Sequence, residues 1–126
     1  MKVALPTLIT LLHSNVLEIK FTRRRPKPGD GPSRRMLCTN SPGILDTEQG
    51  HSLLHFESTG SSPQKFNPAS KNLAVVWDIL MQDYRCVNAN NCEVITVIPG
   101  DEEFWTYYNE VLLPMTTDDK TNFMNS

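Results

Sequence analysis

Apolar and polar positions alternate from Val16 to Thr22 (VLEIKFT). Leu17, Ile19 and Phe21 fall on one side, and Glu18, Lys20 and Thr22 on the other. A period of two marks a half-buried strand. The stretch Arg34 to Asn40 (RRMLCTN) predicts a second strand, with Met36 and Cys38, or else Leu37, turned inward. Leu73 to Leu80 (LAVVWDIL) is almost continuously apolar, which suits a central strand covered on both faces. Tyr84 to Val87 and Cys92 to Ile98 supply two more strands, with MQD and NANN as the turns between them. Five short strands joined by tight turns are the pattern of a small β-barrel.

Helical spacing appears at the two ends. Thr7 to His13 predicts a short helix that packs Leu8, Leu11 and Leu12, with Pro6 in its first turn, where a missing N–H costs nothing. The apolar run here is interrupted by Pro6, lacks a small-residue cleavage site and is too short to span a bilayer. It therefore reads as a core-covering helix rather than a secretory signal. After Pro99 and Gly100, DEEFWTYYNEVLLPM predicts a longer helix whose first-turn acids suit the positive end of the helix dipole. Phe104, Tyr108, Val111, Leu112 and Met115 share one face at helical spacing. Pro114 ends it, and a terminal turn capped by Thr116 or Thr117 follows.

The expected organisation is one mainly β domain with flanking helices (α+β) over residues 1–126. A helix lies at 7–13, a barrel at 16–98 carries a long inserted loop at 40–72, and an acidic helical segment occupies 101–126. At 126 residues the chain is long enough for one modest core. The inserted loop is rich in Ser, Gly, Pro and Asn and longer than most connections, with Leu53, Leu54 and Phe56 placed to dock part of it.

Charge adds a polarity that the formal net of -2 conceals. Seven of the twelve basic residues lie between Lys20 and Arg35, opposed there only by Asp30. Glu93 to Asp119 holds seven acids and no Lys or Arg. Such a distribution can steer a polyanion to one face and repel it from another. The loop RRRPKPGDGP has three prolines and two glycines, so it reads as the tip of a hairpin. Antiparallel pairing then brings Arg23–Arg25 and Arg34–Arg35 to the same end.

Together, VLEIKFTRRR, RRMLCTN, VVWDI and YRCVNANNCEVITV, in that order, resemble a family of small tailed-bacteriophage proteins with a Sm-like, or Src-homology-3-like, β-barrel. That family is related to the barrel of WYL-domain regulators. The residues carrying the resemblance are Leu17, Ile19, Phe21 and Thr22; Arg35, Leu37, Cys38 and Thr39; Trp77 and Asp78; Arg85; and Ile95 and Val97. It spans about Leu8 to Ile98 and leaves the acidic segment unexplained. It implies a barrel fold and a phage origin, with the cytoplasm of an infected host as the place of action. Because most members have no assigned biochemistry, it implies little about activity.

Two functional expectations stand side by side. In the first, Lys20, Arg23, Arg24, Arg25, Lys27, Arg34, Arg35 and Arg85 contact nucleic acid, with RNA or single strands favoured and Phe21 or Tyr84 as stacking surfaces. The alternation argues that Phe21 belongs to the core. In the second, Trp105, Tyr107 and Tyr108, beside the acids, form a contact surface for a host or virion protein or a second copy, with the long loop contributing. Asp78 and Arg85 are expected to face each other across two strands, as an ion pair or as a ligand rim. The spacing of His51 and His55 suits a metal, but no further ligands accompany it, so surface histidines are expected. The three cysteines lack CxxC spacing and read as reduced, mostly buried residues. No P-loop or GxSxG motif is present. The chain is expected to be non-enzymatic, to need no cofactor or metal, and to lack a membrane anchor.

Overall fold

The computed structural model describes residues 1–23, 27–29, 31–56 and 71–125. Helix α1 (Leu5–Ser14) runs directly into β1 (Asn15–Thr22), which returns through the basic hairpin as β2 (Ser33–Thr39). Two short helices, α2 (Pro42–Leu45) and α3 (Glu48–Leu53), open the inserted segment. Strands β3 (Leu73–Asp78) and β4 (Asp83–Asn88) follow, then a 3-10 turn at Ala89–Asn91 and β5 (Cys92–Pro99). The chain finishes with α4 (Glu102–Tyr107), a π turn at Tyr108–Leu112 and α5 (Thr117–Asn125). All five expected strands form, within a residue or two of the expected bounds.

The strands make one antiparallel sheet in the order β4-β3-β2-β1-β5. Its edges are β4 and β5, yet only Ala89–Asn91 separates them in sequence. A link from Asn88 to Cys92 reaches at most about 14 Å. A flat five-stranded sheet would hold its edge strands about 19 Å apart. The sheet must therefore curl, and an irregularity in the β1–β5 register between Glu18 and Ile19 assists the bend. The core bears this out, since one buried cluster draws on every strand: Leu17 and Ile19, Met36 and Cys38, Ala74 and Val76, Val87, and Cys92 and Val94. From α1, Leu8 and Leu12 fill the same interior. The curl stays open, however, because β4 and β5 share no ladder. The closed barrel expected from strand count is thus corrected to an open, curled sheet in an α+β domain.

The other face carries a second cluster. Val16, Leu37 and Trp77 meet Ile44, Leu45 and Leu54 from the inserted segment and Phe104 and Leu112 from the C-terminal segment. Met36, Leu37 and Cys38 are therefore all inward, because this strand is covered on both sides. Phe56 lands edge-on against Trp77 (5.3 Å between centroids) and near Tyr84 (6.4 Å). Leu54 and Phe56 dock the inserted segment as expected, whereas Leu53 remains exposed. Thr39 and Asn40 clamp the junctions. The Thr39 hydroxyl donates to the Asn15 carbonyl (2.8 Å) and accepts from the Ser41 N–H (3.0 Å), while the Asn40 amide donates to Val75 O (2.7 Å).

The C-terminal segment departs from a plain helix. Asp101 caps α4 by accepting from the Glu103 N–H, and the acids sit at its start as expected. A π turn then inserts one residue, with the Leu113 N–H bonded to Tyr108 O (2.8 Å). Leu112 is buried as regular spacing expects, whereas Val111, expected on the same face, turns outward at 39% exposure. Thr116 caps α5 through a reciprocal pair: its hydroxyl accepts from the Asp119 N–H, and the Asp119 carboxylate accepts from the Thr116 N–H.

This arrangement separates two residues that sequence spacing treats alike. Phe104→Ala should destabilise the fold by about 3–5 kcal/mol, as loss of a fully buried ring does. Val111→Ala should cost less than about 0.5 kcal/mol, as at other surface positions. Urea unfolding followed by circular dichroism measures both.

Candidate nucleic-acid interface

The hairpin that carries the basic residues forms with the expected antiparallel pairing, with Phe21 opposite Arg34 and Thr22 opposite Ser33. Its base is closed by a hydrogen bond from the Arg23 N–H to Pro32 O (2.9 Å). Arg24 and Arg25 lie outside the described residues, and Lys27 is exposed near the tip. Arg34 and Arg35 occupy opposite faces of β2, as neighbouring strand residues must.

Several of the arginines are engaged within the protein. Arg23 donates from Nη1 to the carbonyls of Gly31 (2.8 Å) and Ser33 (2.9 Å), and from Nη2 to Asn125 Oδ1 (2.8 Å). It thereby ties the base of the loop to the end of α5. Arg34 donates from Nη2 to Asp78 Oδ2 at 2.5 Å, touches Met124 Sδ at 3.6 Å and lies 5.9 Å from the centre of the Phe21 ring. Arg35 approaches Glu18 at 3.8 Å. Arg85 forms its ion pair with Asp83 (3.3 Å) rather than with Asp78, though it lies near Asp78, as expected, and its charge acts on that carboxylate. The reason lies in the register: Arg85 stands opposite Val76, two residues short of Asp78, while Arg34 reaches along β2 to claim the buried carboxylate. Asp78 is 1% exposed. Burial raises its pKa above the ordinary aspartate value, and the Met81 N–H and the Arg34 guanidinium only partly offset that rise.

Lys20 differs from these arginines. It is half-buried on β1, level with Arg35 on one side and Glu93 on the other, and it faces a cleft. The cleft has a volume of about 240 Å³ and is lined by Lys2, Lys20, Phe21, Asn90, Asn91 and Glu93, among others. A second cleft of about 190 Å³ shares Phe21, Thr22 and Asn91 with it and extends to Cys86 and Asn88. Both lie where the curled sheet brings the β4–β5 turn beside the start of the basic hairpin. Phe21 packs on the interior cluster, as its alternation predicts, yet it also lines both clefts. Lys2, Asn88, Asn90 and Asn91 were not anticipated as site residues. The only signal in the sequence was the run of asparagines in NANN, which reads first as turn chemistry.

Among the aromatic residues beside the acids, Trp105, Tyr107 and Tyr108 are half-buried and packed on the second cluster. Trp105 contacts Phe104 and Tyr108 edge-on, and the Tyr108 hydroxyl donates to Leu53 O (3.3 Å). Burial, with Glu18 nearby, raises the Tyr107 pKa. The expected exposed aromatic surface is therefore corrected: these rings belong mainly to the protein's own packing. His51 is exposed beside Asp46, and His55 lies beyond the end of α3. Among the described residues, no group of three or more His, Cys, Asp or Glu is arranged to hold a metal ion. All three cysteines are free; Cys38 and Cys92 are buried, but Cys86 is exposed because it points away from the interior on an edge strand. No described helix is long and apolar enough to cross a membrane. No family model, curated protein or solved structure matches this chain.

Removing one member of the buried ion pair exposes its role. Arg34→Met leaves the Asp78 carboxylate buried without its partner and should cost about 3–5 kcal/mol, and adding Asp78→Asn should recover part of that loss. The pH dependence follows from the raised pKa of Asp78. The folded state holds this proton more tightly than the unfolded state. Its contribution is therefore complete below the ordinary aspartate pKa and is lost as pH rises through the raised one. Relative to Asp78→Asn, wild-type protein should lose stability across that window in chemical denaturation at a series of pH values.

Proposed function

We propose that the chain is a non-enzymatic nucleic-acid-binding module that takes a single strand, preferably RNA, along the paired clefts at the base of the basic hairpin. The observation that carries this reading is the juxtaposition of Phe21, Lys2, Lys20 and the asparagine turn in two adjoining clefts. Lysine ammonium groups attract phosphates, aromatic rings stack on unpaired bases, and side-chain amides both donate to and accept from base edges. Each cleft is smaller than the roughly 300–1,000 Å³ of typical small-molecule pockets, which favours an extended polymer over an enclosed metabolite. In sequence, Arg24, Arg25 and Lys27 follow Thr22 closely and add positive charge to this part of the chain.

The site is narrower than the original set of eight basic residues. Arg23 and Arg34 act chiefly in tying the hairpin and β2 to α5 and β3, so they position the interface rather than form it, while Arg35 and Arg85 are already paired with Glu18 and Asp83. On this reading the open, curled sheet is related to small barrels of the Sm-like or Src-homology-3-like kind without closing as they do, and the protein is a phage accessory factor working in the host cytoplasm.

Fluorescence anisotropy with labelled oligouridylate and oligothymidylate tests the proposal. Affinity should fall steeply between about 50 and 200 mM salt, with a slope that decreases by about 0.7 for each single-strand phosphate contact removed. Lys2→Ala with Lys20→Ala should weaken binding about tenfold or more, and Arg24→Ala with Arg25→Ala should reduce the salt slope. Cys86 offers an independent readout as the exposed thiol on the cleft: bound oligonucleotide should slow its reaction with a maleimide. Absence of binding at low salt, or unchanged Cys86 reactivity at saturation, would overturn the assignment.

A further inference from the structure

The last helix closes over the base of the basic hairpin without entering the core. None of the nine residues of α5 is buried, although the helix packs along β2 and the half-buried Phe123 rests on the second cluster. Its end is tied to two arginines. Asn125 Oδ1 accepts from Arg23 Nη2 at 2.8 Å, and Met124 Sδ lies 3.6 Å from Arg34 Nη2. The Asn125 amide is oriented by its own helix, since Nδ2 donates to Thr121 O at 3.0 Å. The last turn of α5 carries no basic residue, so these two guanidinium groups supply the positive charge that the negative end of a helix dipole favours.

Arg23 stands between this helix end and the clefts. It follows Thr22 in the chain and donates from Nη1 to Ser33 O, and both Thr22 and Ser33 line the larger cleft. Its Nη2 is the nitrogen that α5 occupies. An amide oxygen at the negative end of a helix offers a guanidinium the same kind of acceptor that a phosphate oxygen does.

The helix is also suited to leave. A nine-residue helix is marginal by itself in water, and an element with no buried side chain belongs to the least stable part of a fold. Residues 113–116 separate it from the π turn. The Arg23–Asn125 hydrogen bond is exposed, where water competes for both partners.

We propose that α5 is an autoinhibitory strap. Docked, its end occupies Arg23 beside the clefts; a bound single strand displaces it, and Arg23 Nη2 turns to a phosphate. Arg34 keeps its bond to Asp78 in both states, so the frame survives when α5 lifts. The inference rests on the nucleic-acid reading above and adds the regulation of that site.

Full-length variants test it by anisotropy with labelled oligouridylate. Apparent affinity scales with the open fraction, so loosening the strap strengthens binding. Asn125→Ala removes the acceptor without changing charge and should tighten binding about threefold, the scale of an exposed charged contact. Asn125→Asp gives Arg23 a carboxylate and should weaken binding about threefold. Asn122→Asp adds the same charge at an exposed position of α5 and should have a smaller effect. Hydrogen exchange on wild-type protein reads the opening directly: saturating oligouridylate should speed exchange of the α5 amides while β2 stays protected. Slower exchange in α5, or equal affinities for wild type, Asn125→Ala and Asn125→Asp, would overturn the strap and leave the nucleic-acid reading standing. If wild type binds nothing at low salt, that reading fails and the strap falls with it.

Discussion

A carboxylate with 1% exposure has to be matched within the protein, and Arg34 performs that task for Asp78. Several elements converge on this ion pair. Arg34 comes from β2 and Asp78 from the end of β3; the guanidinium lies beside Phe21 of β1 and touches Met124 of α5. The other carboxylate oxygen accepts from the Met81 N–H, which orders the turn into β4. An isolated buried charge would cost several kcal/mol, so each element is held where the pair needs it. The positive charge of Arg34 is consequently engaged inside the fold. What the pair contributes to the proposed interface is placement: Arg34 lies beside the Phe21 ring, which lines both clefts.

The curl of the sheet is the second constraint. A three-residue link cannot join the edges of a flat five-stranded sheet, so the edges approach one another. They do not pair, and the space left between them opens beside Phe21, Thr22 and the asparagine turn. An open seam in a small curled sheet thus provides both the interior core, closed by Leu8 and Leu12 of α1, and a polar-lined cleft at its margin. The exposure of Cys86 follows from the same geometry, since β4 is an edge strand whose alternate residues face away from the interior.

Much of the strand architecture was legible because a period of two and the intervening turn residues are local signals. VLEIKFT and LAVVWDIL fall within strands or their immediate ends, and the Pro/Gly-rich loop between Thr22 and Ser33 does connect an antiparallel pair. Less legible was the assignment of charges. Asp78 and Arg85 look like cross-strand partners on spacing alone, but the register places Arg85 opposite Val76 and leaves Asp78 to a residue 44 positions away. The C-terminal helix shows the same limit. Helical periodicity puts both Val111 and Leu112 inward, and across the π turn only Leu112 is buried.

By itself, the sequence determined the five strands, the N-terminal helix, the acidic first turn of α4 and the separation of a basic hairpin from an acidic end. Each of these depends on neighbours within a few positions, where propensity and periodicity act. Tertiary structure alone decided that the sheet curls without closing, that Arg23 and Arg34 are taken up in tying the hairpin and β2 to α5 and β3, and that Lys2, Lys20 and the NANN turn meet around Phe21. Those outcomes depend on which distant residues share a buried space, and that is set by packing and by the cost of leaving a buried charge unmatched.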